Sequence, residues 1–359
     1  MLHKSFSISF RRWLAVLSLI VGVTLGANAS VKIDGLYYEL TSPKTGKATL
    51  TYQNNGVSNY SSLPVSVVVP EKVTYNGTEY TVTTIADKAF ANCTSLESIS
   101  IPGSVTSIGT VRAYDSTYSS DSDYYKNAGT ALPFYNCTSL KSIRFEDGNA
   151  TLSLGCAFSS SYSSYSKGLF YYSPLEEVYL GRNVYTDYST FGPYPQYYGY
   201  SAFYNKPTLT KVTIGPEVKS LPSYLFYHGT AIKDVSFGES LTSLGSHAFD
   251  GCTSLTSAML PNTVTYIGSC SFNNCTSIQS ASLGNATTVG SYAFYNNQNL
   301  KNLTMSPILQ TIEEYGFYKT PNLKDVSLPS TLNSIRSYAF SYSGIRDIII
   351  PSSVKRIGE

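Results

Sequence analysis

The sequence predicts a repeat solenoid, mainly β, with a parallel β-sheet and a small N-terminal β cap. Three observations carry that prediction: an aromatic anchor recurring at a fixed interval, a short alternating apolar run after each anchor, and proline or glycine closing each run. The anchors are Phe90, Phe134, Phe170, Phe203, Phe226, Phe249, Phe272, Phe294, Phe317 and Phe340. The last seven are spaced 23, 23, 23, 22, 23 and 23 residues apart. The earlier gaps of 44, 36 and 33 equal one period plus 21, 13 and 10. A period of about 20–29 residues with this apolar pattern marks a leucine-rich solenoid.

Residues 1–29 read as an export signal. Lys4, Arg11 and Arg12 precede the apolar run Trp13–Leu25, and Ala27-Asn28-Ala29 supplies small residues for cleavage after Ala29. The run is too short to cross about 30 Å of hydrocarbon as a helix. The chain after cleavage is therefore expected outside the cytoplasm, secreted or on the cell surface with the periplasm as a variant, and without an integral membrane segment. The formal charge of +2 falls to −1 once the three basic residues of the leader are removed, leaving 22 basic against 23 acidic residues. A chain so near neutrality has no electrostatic footprint for nucleic acid.

Residues 30–84 do not follow the period. Asn76-Gly77 between Val73–Tyr75 and Thr78–Tyr80 signals a two-residue hairpin. Val65–Val69, closed by Pro70, reads as another strand. A β cap over the first rung is expected, because an open end would expose apolar side chains and unpaired backbone.

Residues 85–359 hold about ten units. In Leu96-Glu97-Ser98-Ile99-Ser100-Ile101-Pro102, Ile99 and Ile101 alternate with serines, as a strand with one buried face requires. Pro102 lacks a ladder donor and ends the strand. Val105 and Ile108 point inward from the return path, and Gly109 turns the chain. One unit cannot bury this set, whereas neighbours stacked about 4.8 Å apart can. Each stacked Phe is expected to contribute about 2–3 kcal/mol. Val354, Ile357 and Gly358 begin a further unit that stops at Glu359, which reads as a truncated chain or an end that needs a partner.

The unit running from Leu323 through Phe340, Leu-x-x-Val-x-Leu-Pro-x-x-Leu-x-x-Ile-x-x-x-Ala-Phe, resembles the 23-residue repeats of BspA-like bacterial surface proteins. Ile33–Tyr38 and Tyr75–Thr78 are similar to the entry region of those from Bacteroides-type bacteria. The resemblance implies a parallel-sheet solenoid, exported or surface-exposed and associated with adhesion to host or bacterial proteins. It brings no catalytic residues.

Little in the chain points to chemistry. Cys93, Cys137, Cys252 and Cys275 share one position, three after the anchor, and read as small buried thiols in a ladder. Cys156 and Cys270 lie two before a Phe, with Phe158 taken as anchor in the first case. There is no CxxC or Cys/His cluster for a metal, and no nucleophile motif beside His228 or His247, which are expected on different sides of a rung. No enzyme activity and no cofactor are expected.

Tyrosine is the anomaly. Of 32, 17 lie between residues 110 and 204. The three insertions fall after the Val/Ile-Gly region, hence on one side of the solenoid. They are 110–132, with Tyr114, Tyr118, Tyr124 and Tyr125; 159–167, with Tyr162 and Tyr165; and 186–200, with Tyr188, Tyr194, Tyr197, Tyr198 and Tyr200. Per-repeat insertions map to one face, often the binding one. Tyr with Ser and Gly is a paratope-like composition. These tyrosines are the candidate contacts for a protein ligand such as a host or bacterial surface protein, or alternatively for a glycan; the other reading is that the rings cover the solenoid's own flank. Outward strand positions (Ser100, Arg144, Tyr179, Thr213, Ser236, Met259, Ser282, Thr304, Ser327 and Ile349) predict a flat, weakly charged face with no selective stripe.

Overall fold

A computed structural model describes residues 30–52, 60, 63–114, 131–159, 167–186 and 201–359. Among them there is no α-helix, and every long-range element is a strand. Each rung crosses a first sheet face, a second sheet face and a turn column.

On the first face, Ser66–Val68, Ser98–Ile101, Ser142–Phe145, Glu177–Leu180, Lys211–Ile214 and Asp234–Ser236 pair in parallel in that order. Val67, Ile99, Ile143, Val178, Val212 and Val235 lie side by side in one register. The inward members of this row are apolar and the residues between them polar, so alternation along each strand becomes a buried and a solvated side. The face resumes as Ser257–Leu260, Ser280–Leu283 and Asn302–Thr304. On the second face, Thr78–Ile85, Ser107–Tyr114 and Leu152–Ser159 run parallel, and seven two-residue strands continue without interruption from Ser220–Leu221 to Arg356–Ile357.

The turn column is a third ladder. The anchor amide donates to the next rung, as in Phe249 N to Ser271 O (2.9 Å) and Phe294 N to Gly316 O (2.8 Å). The residues two before and two after it do the same, for instance Tyr292 N to Glu314 O (2.9 Å) and Asn296 N to Tyr318 O (2.8 Å). Both flanking positions take positive φ, including Tyr224, His247, Cys270, Tyr292, Tyr315 and Tyr338 before the anchor. This conformation is costly for bulky residues, and the rung-to-rung bonds it permits offset the cost.

Inside, the ten anchors stack in one column. Successive ring centroids from Phe90 to Phe340 are 5.6, 5.0, 5.5, 5.3, 5.2, 5.5, 5.2, 5.4 and 5.4 Å apart. A single buried apolar cluster extends from Leu36 to Ala339. Phe158 is not an anchor, since the column passes directly from Phe134 to Phe170; Cys156 instead lies within the Leu152–Ser159 strand.

Residues 30–84 share this core. Val31–Ile33, Leu36–Leu40 and Lys47–Thr51 form an antiparallel meander, and the last strand pairs in parallel with Thr78–Ile85. Asn76 and Gly77, both at positive φ (48° and 77°), join Lys72–Tyr75 to Thr78–Ile85 as a hairpin. The Tyr60 ring lies 6.0 Å from Phe90 and extends the column, with its hydroxyl donating to Thr51 O at 2.7 Å. The strand before the first insertion runs on through Thr110 to Tyr114, where Tyr114 is opposite Ser159. Chain expected to be inserted loop therefore begins as sheet.

Candidate functional site

The turn column carries the described aromatic surface. Positive φ turns the residue two before each anchor outward, and in three consecutive rungs that residue is tyrosine. Tyr292, Tyr315 and Tyr338 stack at 4.7 and 5.0 Å, with interplanar angles of 12° and 19°. One residue after the anchor, Tyr295 and Tyr318 stack at 5.1 Å, and Tyr315 meets Tyr318 edge-on at 5.2 Å. Tyr342, 70% exposed, packs its edge against Tyr318. Lys319 Nζ lies 5.5 Å from the Tyr318 centroid and 5.9 Å from that of Tyr295. Crowding removes water around Tyr315, and with the neighbouring phenols Tyr292, Tyr338 and Tyr318 it holds that hydroxyl above its ordinary pKa. Within this ladder the middle ring, Tyr315, stacks on both faces, and the end rings Tyr292 and Tyr338 on one each.

An aromatic group also lies on the same column in earlier rungs. Tyr204 stacks on Tyr227 (5.8 Å), Tyr227 on His228 (4.1 Å) and Tyr224 on His247 (4.6 Å). The two histidines thus lie in one cluster on one face, and not on different sides. Each sits at positive φ, one just after its anchor and one just before the next, and this brings adjacent rungs together. Between the aromatic groups is a polar step, in which His247 Nδ1 is 2.7 Å from Asp250 Oδ2 and Asn273 Nδ2 donates to Asp250 Oδ1 at 3.0 Å.

The first sheet face is less plain than its sequence suggests. Arg144 sits over Tyr179, its Cζ 3.6 Å from the ring centroid, and its Nε donates to Glu146 Oε2 at 2.8 Å. Ser100 Oγ donates to the other Glu146 oxygen, and the Tyr179 hydroxyl donates to Asp147 Oδ1 at 2.5 Å. The acids lie beyond the strand ends, so a list of outward strand positions omits them. The weakly charged face expected from sequence therefore carries a local charged network across three rungs.

Polar groups inside the solenoid serve the rungs. In several rungs the residue three after the anchor reaches back to the previous anchor's carbonyl. Cys137 Sγ donates to Phe90 O (3.1 Å), Cys275 Sγ to Phe249 O (3.1 Å) and Asn297 Nδ2 to Phe272 O (2.8 Å). Lys206 takes this place in its rung, 4% exposed, and donates to Phe170 O, Tyr171 O (3.1 Å) and Ser173 O (3.1 Å). Burial pulls its ammonium down to about 7. Arg182 is fully buried and donates to the Pro102, Gly103 and Val105 carbonyls at 2.8, 2.7 and 2.6 Å. Burial pushes the Cys93 thiol up to about 11, Cys156 to about 12 and Cys270, which is also near Asp250, to about 11. Such thiols are protonated and poorly nucleophilic at neutral pH. Among the described residues no group of three or more His, Cys, Asp or Glu side chains could hold a metal ion.

Of the tyrosines singled out from sequence, Tyr114 ends a described strand. Tyr118, Tyr124, Tyr125, Tyr162, Tyr165, Tyr188, Tyr194, Tyr197, Tyr198 and Tyr200 lie outside the described residues. Sequence reasoning missed the turn-column tyrosines, although Tyr at 292, 315 and 338 repeats at the anchor interval.

Stacked rungs, one Phe column and parallel sheets define a leucine-rich repeat solenoid. The chain belongs to the BspA type leucine-rich repeat family, whose model matches residues 71–192, 196–289 and 247–359 in six copies. Repeats of this family are interaction scaffolds of bacterial surface proteins. Among solved structures, the chain is similar to a leucine-rich repeat protein from Bacteroides ovatus (20% identity, 91% of this chain and 90% of that one, TM-score 0.40). It is also similar to a leucine-rich cell surface protein from Faecalibacterium prausnitzii (20% identity, 92% and 90%, TM-score 0.37). A leucine-rich repeat protein from Eubacterium ventriosum is a further relative in fold (19% identity, 90% and 97%, TM-score 0.38). No curated protein matches the chain. Among the described residues no helix is long and apolar enough to cross a membrane.

Proposed function

We propose that this chain is an exported or cell-surface interaction protein that binds a protein ligand through its tyrosine-rich side. In this reading residues 1–29 direct export, residues 30–84 close the first rung, and the repeats present the contact surface. The observation that carries the proposal is the ladder Tyr292–Tyr315–Tyr338 beside Tyr295–Tyr318. It is a rigid, amphipathic strip already ordered before binding, so little side-chain entropy remains to be lost. The insertion tyrosines Tyr114, Tyr118, Tyr124, Tyr125, Tyr162, Tyr165, Tyr188, Tyr194, Tyr197, Tyr198 and Tyr200 extend the same contact chemistry.

Ring faces decide between protein and glycan. Sugars stack on a free aromatic face, and in the ladder the central ring, Tyr315, has both faces covered. Tyr342, edge-on to Tyr318 and open to solvent, is the residue that favours the glycan alternative. The test uses surface-protein extracts and a glycan array on the mature chain. A partner retained by wild type, and lost by both Tyr315→Ala/Tyr338→Ala and Tyr194→Ala/Tyr197→Ala/Tyr198→Ala, supports the proposal. Carbohydrate binding abolished by Tyr342→Ala alone, with no protein retained, overturns it.

A further inference from the structure

The rungs do not stay paired on every face. The second face is hydrogen-bonded from Ser220 to Ile357, and the turn column is continuous past Phe317. The first face stops at Asn302–Thr304, which pairs with Ser280–Leu283 on one side alone. Up to that point each rung's entry amide bonds to the rung before it, as in Lys301 N to Gln279 O at 2.9 Å. Among the described residues, no hydrogen bond engages the backbone of Asp325–Leu328 or Asp347–Ile350. With one side pinned and the other unpaired, the rungs fan open on the first face.

The fan makes a groove of about 880 Å³. Its floor is Leu303, Val326, Leu328 and Ile348, and the counterparts of Val326 and Leu328 two rungs earlier, Ala281 and Leu283, are buried. The charged residues lining it are Asp325 and Asp347, on successive rungs. Their chain neighbours Lys324 and Arg346 do not line it.

We propose that this groove receives an extended segment of a partner protein by strand addition, and that the segment carries basic residues flanking alternating apolar ones. Three features converge on that occupant. The free edge of Asn302–Thr304 and the unpaired backbone of Asp325–Leu328 offer main-chain donors and acceptors that a strand satisfies and a folded surface does not. The apolar floor accepts every second side chain of a strand. The two carboxylates, with no cation in the groove, select Lys or Arg on the segment. The site is separate from the tyrosine ladder, so either can fail without the other.

The probe is a fluorescein-labelled, end-blocked peptide, Lys-Val-Thr-Val-Thr-Val-Lys, titrated with the full mature chain and read by anisotropy. Saturable binding is expected, with slowed amide exchange at Asn302–Thr304 and Asp325–Leu328. Methylating alternate backbone nitrogens should weaken it by about tenfold or more, because ladder bonds carry the affinity. Replacing the terminal lysines with Glu, or testing Asp325→Asn/Asp347→Asn, should weaken it several-fold in low salt. These exposed substitutions leave the core intact, which unchanged thermal unfolding confirms. No saturable binding, equal binding of the methylated peptide, or protection elsewhere overturns the proposal. A peptide-independent dimer protecting the same amides also overturns it, by assigning the groove to a second copy.

Discussion

Lys206 makes the interior of this solenoid sensitive to pH. It fills the position that Cys137, Cys275 and Asn297 occupy in other rungs, with its Nζ against three carbonyl oxygens and, among the described residues, no carboxylate paired to it. Burial lowers its pKa from 10.5 to about 7, so in the folded chain it loses its proton well before it does when unfolded. Below about pH 7 both states are protonated and the folded state bears the full desolvation cost. As pH rises from 7 toward 10.5 the unfolded state binds more protons, so stability rises with pH. The full difference of 3.5 units corresponds to about 5 kcal/mol, of which about 2 kcal/mol is expected between pH 7 and 9. Urea unfolding of wild type and Lys206→Met at pH 6, 7, 8 and 9 isolates this contribution, because every other titrating group is common to both. The wild type should gain on the variant by about 2 kcal/mol from pH 7 to 9. Parallel stability profiles would show that the ammonium is not desolvated in the fold and would refute the reasoning.

Four further outcomes follow from the same packing. Arg182→Met should destabilise the chain by at least about 3 kcal/mol in urea, since three buried carbonyls lose a charged donor, and Arg182→Lys should restore only part, because an ammonium cannot span them as a planar fork does. Phe272→Ala, in mid-column, should cost about 3–5 kcal/mol, whereas the surface change Tyr315→Ala should cost under about 1.5 kcal/mol by the same measurement. Asn297→Cys should be tolerated within about 1 kcal/mol, because the thiol reaches the same carbonyl in the neighbouring rung, while Asn297→Leu leaves that carbonyl unpaired and costs about 1–3 kcal/mol. A thiol reagent at pH 7 should label Cys270 slowly and the other cysteines only after denaturant is added, since the remaining five are buried.

Much of this architecture is legible in the residues themselves. The anchor interval predicts the Phe column, because nothing but stacking can bury seven rings spaced one period apart. The Ser98–Ile101 alternation predicts a one-sided strand, and Asn76-Gly77 its hairpin. What escaped sequence reading has physical causes. Tyrosine at positive φ runs against its own preference, so Tyr292, Tyr315 and Tyr338 look like ordinary turn residues until the third ladder is seen. Glu146 and Asp147 lie outside the strand pattern, and only the stacking of rungs brings them to Arg144 and Tyr179. The opening of the first face is invisible in sequence, because Asp325-Val326-Ser327-Leu328-Pro329 obeys the repeat as well as any paired strand.

The turn column explains why one side of the molecule can specialise in tyrosine. Sheet faces constrain side chains on every second residue, since one face of each strand must be apolar. In the turn, the rung is closed by backbone donors at three alternating positions, together with one buried anchor. The backbone bonds that close the rung do not depend on the side chain two before that anchor, and a side chain there can add a contact of its own, as His247 does with Asp250. The identity of that residue is therefore free within the limits of positive φ, and occupants here range from His247 and Cys270 to three tyrosines in succession. Once one rung places a tyrosine there, the next gains about 0.5–1.5 kcal/mol by stacking on it. That gain offsets the conformational penalty and favours runs of tyrosine over isolated ones. An ordered aromatic strip thus emerges from the same closure geometry that stacks the rungs.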